Sequence, residues 1–267
     1  MSIEMGECMD QVNKTLYIPL YGKAYVSQKG IILEDKKAEE IWSKEGFTLQ
    51  GKSSSKWLAY YMGMRSRVFD EWVREKIDTL ENAVVLHLGC GLDSRVERVN
   101  RTTLWYDVDF PQVIEERKKY YTENEHYHMI ESDVREEAWL KDIPSQNAIV
   151  IMEGISMYLT VEELRGVMKR IHDHFESVHI LMDQYTVLAA KASKYKNPIN
   201  DVGVTVVYGI DDPRVLEESG MVYVREHELT PRYLIEKLQR VERVIFQKLY
   251  AGSFASKLYK LYEYRSK

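Results

Sequence analysis

The chain has 267 residues, of which 45% are hydrophobic and 30% are charged, so it can bury a large core and is not a disordered segment. Its formal net charge of -5 argues against the basic surface that nucleic-acid-binding proteins need. Two cysteines, Cys8 and Cys90, are too few for a disulfide framework, and neither a signal peptide nor an apolar run of membrane-spanning length is visible. We therefore expect a cytoplasmic protein.

The first 80 residues are predicted to be mostly helical. Apolar residues recur there at helical spacing, as in Val68-Phe69 and Trp72-Val73, and residues 51–55 offer caps to the helix that follows.

Predicted strands and helices then alternate along the chain. The strands are expected at 83–88, 103–108, 127–131, 147–152 and 177–183, and the helices at 93–99, 111–122, 135–140 and 160–175. Such alternation predicts an α/β protein with a doubly wound, mostly parallel sheet.

The last third of the chain is less regular. Residues 184–205 are polar and lysine-rich, and we expect them to form a mobile cover without a strand. Residues 209–214 indicate a turn into a short helix, and 221–226 alternate like a strand. Leucines and other apolar residues between 234 and 249 predict one long helix, and 257–264 predict a final strand.

A glycine loop follows the first predicted strand. The run Val84–Leu88 ends in Gly89-Cys90-Gly91, and Ser94 stands where a dinucleotide-binding loop has its third glycine. The pattern Leu-Gly-x-Gly-x-Asp is instead typical of S-adenosylmethionine sites, which have no phosphates to seat, although a lone Gly-x-Gly also occurs in tight turns. Asp109 ends the second strand, where it would bind two ribose hydroxyls or cap the next helix.

Two more acidic residues end predicted strands. Asp133, followed by Val134, would accept a hydrogen bond from an adenine amino group, or it would cap a helix. Glu153 would meet the cationic side of a cofactor, with a surface position as the alternative. Tyr158 would face the substrate or serve in packing.

Several other polar residues have less specific patterns. Arg65, Arg67 and Lys23 could pair with a carboxylate, but a solvated face is the simpler explanation. His87 precedes the glycine loop in a buried strand, which indicates a structural role. The remaining histidines have no spacing that predicts a metal site.

Four motifs occur together in one order. They are Leu88–Arg95, Tyr106–Pro111, Asp133–Arg135 and Glu153–Thr160, and they are accompanied by Met64–Asp70 and Tyr208–Arg214. The set resembles the leucine carboxyl methyltransferase family, in its tetracenomycin-type polyketide O-methyltransferase branch, over residues 15 to 265.

The resemblance implies a class I methyltransferase fold, which is Rossmann-like and has seven strands with an antiparallel last strand. Residues 1–80 would form a helical cover and 81–267 the cofactor-binding domain, with 184–214 as an insertion on the substrate side. S-adenosylmethionine would be the cofactor. The implied contacts are Gly89, Gly91 and Glu153 at its methionine end, Asp109 at the ribose, Asp133 with Val134 at adenine, and Arg67 with Lys23 at a carboxylate.

The expected reaction is methyl transfer to an oxygen of a small-molecule or peptide carboxylate. A carboxylate is ionised at neutral pH and requires no base, whereas a hydroxyl would benefit from one. The alternatives are a nucleotide-cofactor oxidoreductase and a non-catalytic module that keeps the cofactor pocket. No nucleic acid, membrane or metal is expected as a partner, and nothing in the sequence specifies an oligomeric state.

Overall fold

The computed structural model describes residues 16–46, 49, 51–99, 102–144, 146–193, 206–252 and 255–267. One seven-stranded sheet forms its centre, in the order β3-β2-β1-β4-β5-β7-β6. The strands are β1 (Ala83–Leu88), β2 (Leu104–Asp109), β3 (Tyr127–Glu131), β4 (Asn147–Met152), β5 (Ser177–Tyr185), β6 (Met221–His227) and β7 (Tyr259–Ser266). β1 to β5 are mutually parallel, and β7 is antiparallel to both β5 and β6. The predicted fold class is confirmed.

Helices cover both faces of this sheet. They are α1 (16–28), α2 (Lys36–Glu45), α3 (Lys56–Thr79), α4 (Arg95–Val99), α5 (Pro111–Arg117), α6 (Val161–His174), α7 (Val187–Ser193), α8 (Arg232–Ile235) and α9 (Arg240–Leu249). No helix in the described ranges is both long enough and apolar enough to cross a membrane.

The alternation of side chains along β1 creates two cores. Val85 faces the core that contains the aromatic residues of α3, whereas Leu86 faces the core built with α6. Because a central parallel strand is covered on both faces, its sequence is a continuous apolar run rather than a polar-apolar alternation.

The register between β1 and β2 positions the site. Leu88 pairs with Val108, so the glycine loop after β1 and Asp109 at the end of β2 meet at the same edge of the sheet. This edge, at the carboxyl ends of the parallel strands, is where open α/β sheets bind ligands.

Four predictions about the elements were wrong in detail. Residues 184–185 complete β5 and 187–193 form α7, while 194–205 lie outside the described residues. The long helix predicted over 234–249 is broken between α8 and α9, and Arg243 donates to the carbonyls of Glu236 and Leu238 at the break. α5 ends at Arg117, and the helix predicted over 135–140 is a 3-10 turn at Ala138–Leu140.

Candidate active site

A cavity of about 770 Å³ opens at the carboxyl ends of β1, β2 and β4. This volume falls in the range of roughly 300–1,000 Å³ that small-molecule sites occupy. Its polar end is formed by the loops after these strands and by Lys23 and Arg65. Its apolar end is lined by Leu58, Tyr61, Met62, Met157, Tyr158, Tyr185, Leu249, Tyr250, Leu258 and Tyr259.

The glycine loop has a backbone that only glycine suits. Gly89 has φ +66° and Gly91 has φ +51°, both in the left-handed region. A Cβ at Gly89 would lie 2.8 Å from Cδ1 of Ile155, and one at Gly91 would lie 3.1 Å from Leu16. The loop is therefore closed to side chains and presents its backbone to the cavity.

Asp109 lies beside this loop in the cavity wall. Its Oδ2 accepts from the Gly91 N–H (2.9 Å) and its Oδ1 from the Phe110 N–H (2.8 Å). Burial raises the pKa of Asp109, and the two backbone hydrogen bonds oppose that rise. Each oxygen keeps a second lone pair for a ligand hydroxyl. The alternative role as helix cap is wrong, because Phe110 holds the N-cap position of α5.

A buried ion pair that we did not predict supports the loop from behind. Arg117 donates from Nη1 to the Gly91 carbonyl (2.9 Å), and its Nη2 lies 2.5 Å from Asp107. Asp107 also accepts from the Tyr127 hydroxyl (2.6 Å), and Nδ1 of His87 lies 3.3 Å away from it. The second glycine is thus held on both sides.

Asp133 and Val134 both line the cavity, beyond the end of β3. The Asp133 carboxylate accepts from the Arg135 backbone N–H (2.9 Å) and pairs with the Arg135 guanidinium (3.0 Å from Nε). These hydrogen bonds lower the pKa of Asp133. Asp133 therefore closes a local turn at the cavity. It is not the helix cap that we weighed as its alternative role, because Glu137 holds the N-cap position of the next helical turn, Ala138–Leu140.

Glu153 is buried between two arginines rather than exposed on the surface. Its Oε1 lies 3.1 Å from Nε of Arg65, and its Oε2 pairs with Arg95. Burial alone would raise the pKa of Glu153, but Arg95 and Arg65 lower it, so the group is ionised. The predicted position at the cavity is where the structure places it.

The structure brings Arg65, and not Arg67, to the cavity. Leu58, Tyr61, Met62 and Arg65 form one stripe of α3, whereas Arg67 pairs with Glu71 (2.7 Å) away from the lining. Two residues along a helix turn the side chain by about 200°, so the neighbouring arginine cannot share that face. Arg65 Nη1 donates to Asp183 (2.8 Å) and to the Tyr259 hydroxyl (2.9 Å).

Three contacts connect the amino-terminal helices to the glycine loop and to α4, which follows it. Lys23 of α1 lies 3.1 Å from Asp93, and both side chains are buried. Asp35 caps α2 and also accepts from the Ser94 hydroxyl (2.6 Å), so the residue in place of a third glycine has a structural use. Arg98 pairs with Asp35 (2.6 Å). Nothing in the sequence pattern indicated these long-range pairs.

Comparisons with known proteins identify this arrangement. The model of the leucine carboxyl methyltransferase family matches residues 7–172. The chain belongs to this family. It is 32% identical to the tetracenomycin polyketide synthesis O-methyltransferase TcmP of Streptomyces glaucescens over 80% of the chain and 81% of that protein, which confirms the predicted branch. It is 27% identical to the S-adenosyl-L-methionine-dependent methyltransferase dpfgK of Gibberella zeae, covering 76% and 77% of the two chains.

Solved structures support the fold of this leucine carboxyl methyltransferase family member. A methyltransferase-type structure from Thermobifida fusca matches with a TM-score of 0.54 at 14% identity, over 92% of this chain and 94% of that one. Magnesium protoporphyrin IX methyltransferase of Synechocystis, with bound S-adenosylhomocysteine, matches with a TM-score of 0.50 at 11% identity, over 92% and 97%.

The protein is therefore a methyltransferase that uses S-adenosylmethionine. This finding overturns the oxidoreductase and non-catalytic alternatives. The residues present fit such a cofactor, because the glycine cradle admits no Cβ and the free lone pairs of Asp109 suit ribose hydroxyls. No group of three potential metal ligands occurs within the described ranges.

Proposed function

We propose that this enzyme methylates a carboxylate of an apolar, ring-containing small molecule. The observation that carries the proposal is the absence of a base at the acceptor end among the described lining residues. The one imidazole in that lining, His87, lies against Asp107 under the glycine loop, and the lining acids are at the polar end. An acceptor that is already ionised needs no base.

The polar end supplies a place for each part of the cofactor. Asp109 would hold the ribose, Val134 with Asp133 the adenine, and Gly89 and Gly91 would border the methionine. Lys23 and Arg65 would hold the cofactor's carboxylate, in place of the Arg67 expected from the sequence, and Glu153 its cationic groups. When bound, the cofactor supplies an electrophilic methyl group on a sulfonium.

The protein's part in the reaction is to position the acceptor and to exclude water. An oxygen lone pair of the acceptor forms the new bond to the methyl carbon while the carbon–sulfur bond breaks, and the sulfide leaves with the bonding electrons. No proton moves in this step. A cavity with apolar walls favours it by orienting the two reactants and desolvating the carboxylate.

The acceptor is proposed to occupy the apolar end, with Tyr158 facing it. This end has five tyrosines in its lining, and aromatic rings bind flat, ring-containing molecules well. The Streptomyces relative acts in tetracenomycin polyketide synthesis, which agrees with such a substrate. α1 would cover the cavity, because its residues Leu16, Ile18 and Lys23 line it. We therefore keep residues 1–80 as a proposed cover over a cofactor-binding domain.

Product analysis tests the proposal. Purified protein would be incubated with S-adenosylmethionine and with matched pairs of fused-ring aromatic carboxylic acids and phenols, and S-adenosylhomocysteine and methylated products would be measured by mass spectrometry. We expect methyl esters, which mild alkali hydrolyses. Alkali-stable methyl ethers from the phenols alone would show a hydroxyl acceptor and refute the carboxylate assignment. A variant Asp109→Ala serves as the control for cofactor-dependent turnover.

A further inference from the structure

Tyr61 lines the cavity and brings a phenol to its wall. Tyr61 is on α3, one turn before Arg65 and on the same stripe of that helix, and its side chain lines the cavity. Within the described residues, none forms a hydrogen bond with its hydroxyl. Its ring packs against Tyr259, with the ring centroids 6.3 Å apart.

The two cations nearby, Arg65 and Lys23, have carboxylate partners in the protein and are proposed above to hold the cofactor's carboxylate. Arg65 Nη1 is shared between Asp183 and Tyr259, its Nε lies 3.1 Å from Glu153, and Lys23 is paired with Asp93. An acceptor carboxylate at the apolar end would then have the neutral phenol of Tyr61 as a hydrogen-bond donor. Burial raises the pKa of Tyr61, which keeps this phenol a hydrogen-bond donor over the physiological range.

We propose that Tyr61 donates a hydrogen bond to the acceptor carboxylate and thereby distinguishes the substrate acid from the product ester. This inference rests on the proposed function. A hydrogen bond to an ionised acceptor is stronger than one to a neutral acceptor. When the acid becomes an ester it loses its charge, so the contact weakens and the product leaves more easily.

A neutral donor also suits the chemistry better than a salt bridge would. The carboxylate must remain a nucleophile, and a full ion pair would stabilise its ground state at the expense of the transition state. A single phenol can hold the oxygen that does not attack and leave the other free. Tyr61 is thus a specificity-determining residue at the point where the apolar end meets Arg65.

The test is a binding comparison in the presence of saturating S-adenosylhomocysteine. Anthracene carboxylate and its methyl ester would be titrated by fluorescence into wild-type protein, Tyr61→Phe and the control Tyr223→Phe, which lies on β6 outside the cavity lining. The substitution keeps the ring, so its packing on Tyr259 is retained. Binding of S-adenosylhomocysteine by Tyr61→Phe, measured by calorimetry, reports that the variant is folded.

We expect Tyr61→Phe to bind the acid about 10- to 100-fold more weakly, because a hydrogen bond to a charged group is lost, and the ester as wild type does. The control should bind both probes like wild type. Equal affinity of Tyr61→Phe and wild type for the acid overturns the inference, and so does an equal loss for acid and ester. If wild-type protein that binds S-adenosylhomocysteine binds no acid, the proposed function itself fails.

Discussion

Replacing Gly89 by alanine should destabilise the protein more than the same change at another left-handed glycine. The matched control is Gly46→Ala at the end of α2, where φ is +61° and an added Cβ would meet nothing within 4 Å. At Gly89, φ is +66°, but the added Cβ would lie 2.8 Å from Cδ1 and 3.0 Å from Cβ of Ile155. The two variants thus share the backbone strain and differ in the contact.

The free energies follow from these two contributions. An alanine in the left-handed region destabilises the folded state by about 1–2 kcal/mol. Alanine also lowers the conformational entropy of the unfolded chain, which offsets about 0.4–1 kcal/mol of that loss. The overlap with Ile155 adds roughly 1–3 kcal/mol, because its Cβ cannot rotate away as a side-chain tip could. We expect a loss of about 1 kcal/mol for Gly46→Ala and roughly 2–4 kcal/mol for Gly89→Ala.

Urea unfolding followed by circular dichroism measures both losses, and calorimetry measures S-adenosylhomocysteine binding. Affinity should fall in Gly89→Ala and not in Gly46→Ala, since Gly89 lines the cavity and Gly46 does not. Adding Ile155→Ala should recover part of the stability, because it removes Cδ1 and Cγ1 but leaves Cβ at 3.0 Å. If Gly89→Ala and Gly46→Ala lose the same free energy of unfolding, the argument from close contact is wrong.

Three further predictions concern named carboxylates and their partners. Asp109→Asn should weaken S-adenosylhomocysteine binding about 10- to 100-fold in calorimetry, because one carboxylate oxygen that accepts hydrogen bonds is replaced by an NH2 group that donates them. The control Asp173→Asn, at an exposed position, should bind like wild type. Equal binding by both variants would contradict the ribose assignment. Arg117→Met should lower the free energy of unfolding in urea by about 3–5 kcal/mol, because it leaves the buried charge of Asp107 without its guanidinium partner; a loss below about 1 kcal/mol would refute this account of the loop's support. Glu263 is buried, which would raise its pKa, but interactions with its neighbours hold that pKa below the ordinary value; these neighbours are His227, Trp72, Lys76 and Arg225. A carboxyl group whose pKa is lower in the folded than in the unfolded protein stabilises the fold above the unfolded-state pKa of about 4.3. This stabilisation is lost as the pH falls through the folded-state pKa. The difference in the free energy of unfolding between wild type and Glu263→Gln should therefore narrow below about pH 4, and a difference that is constant with pH would contradict this account.

The strands were predicted well because neighbouring residues in the sequence determine where each strand begins and ends. β1, β3 and β4 occupy the predicted residues, since an apolar run bounded by turn residues leaves little choice of limits. The final strand is displaced by two residues, to Tyr259–Ser266, because its last residues are polar and the apolar pattern does not mark where it ends.

The choice between Arg65 and Arg67 was made wrongly from the sequence. Both arginines lie within one helix, and only the packing of that helix decides which side is buried. The stripe at 58, 61, 62 and 65 faces the cavity because α3 also packs Phe69 and Trp72 into the core. Phe69 and Trp72 mark the buried side of α3 in the sequence, and helical positions counted back from them place Arg65, four residues before Phe69, on that side.

The support of the glycine loop was missed for a different reason. Asp35 is 59 residues from Ser94, and Arg117 is 26 residues from Gly91. Such pairs form only when the chain is folded, and a lone charged residue in a sequence does not name its partner. The motif predicted where the backbone approaches a ligand, but not what holds that backbone in place.

The position of β7 gives the site a folding order. β7 follows all the other strands in the chain, yet it lies between β5 and β6, so β6 has no place in the sheet until β7 arrives. Tyr259 at its first residue bonds to Asp183 (2.6 Å) and to Arg65, which come from elements far earlier in the chain. Pairings between residues this far apart in the chain must close long loops, which costs chain entropy. β1 to β5 pair with one another without β7, so a chain whose last strand has not docked keeps these pairings but lacks one partner of Arg65 and the Tyr259 part of the acceptor wall.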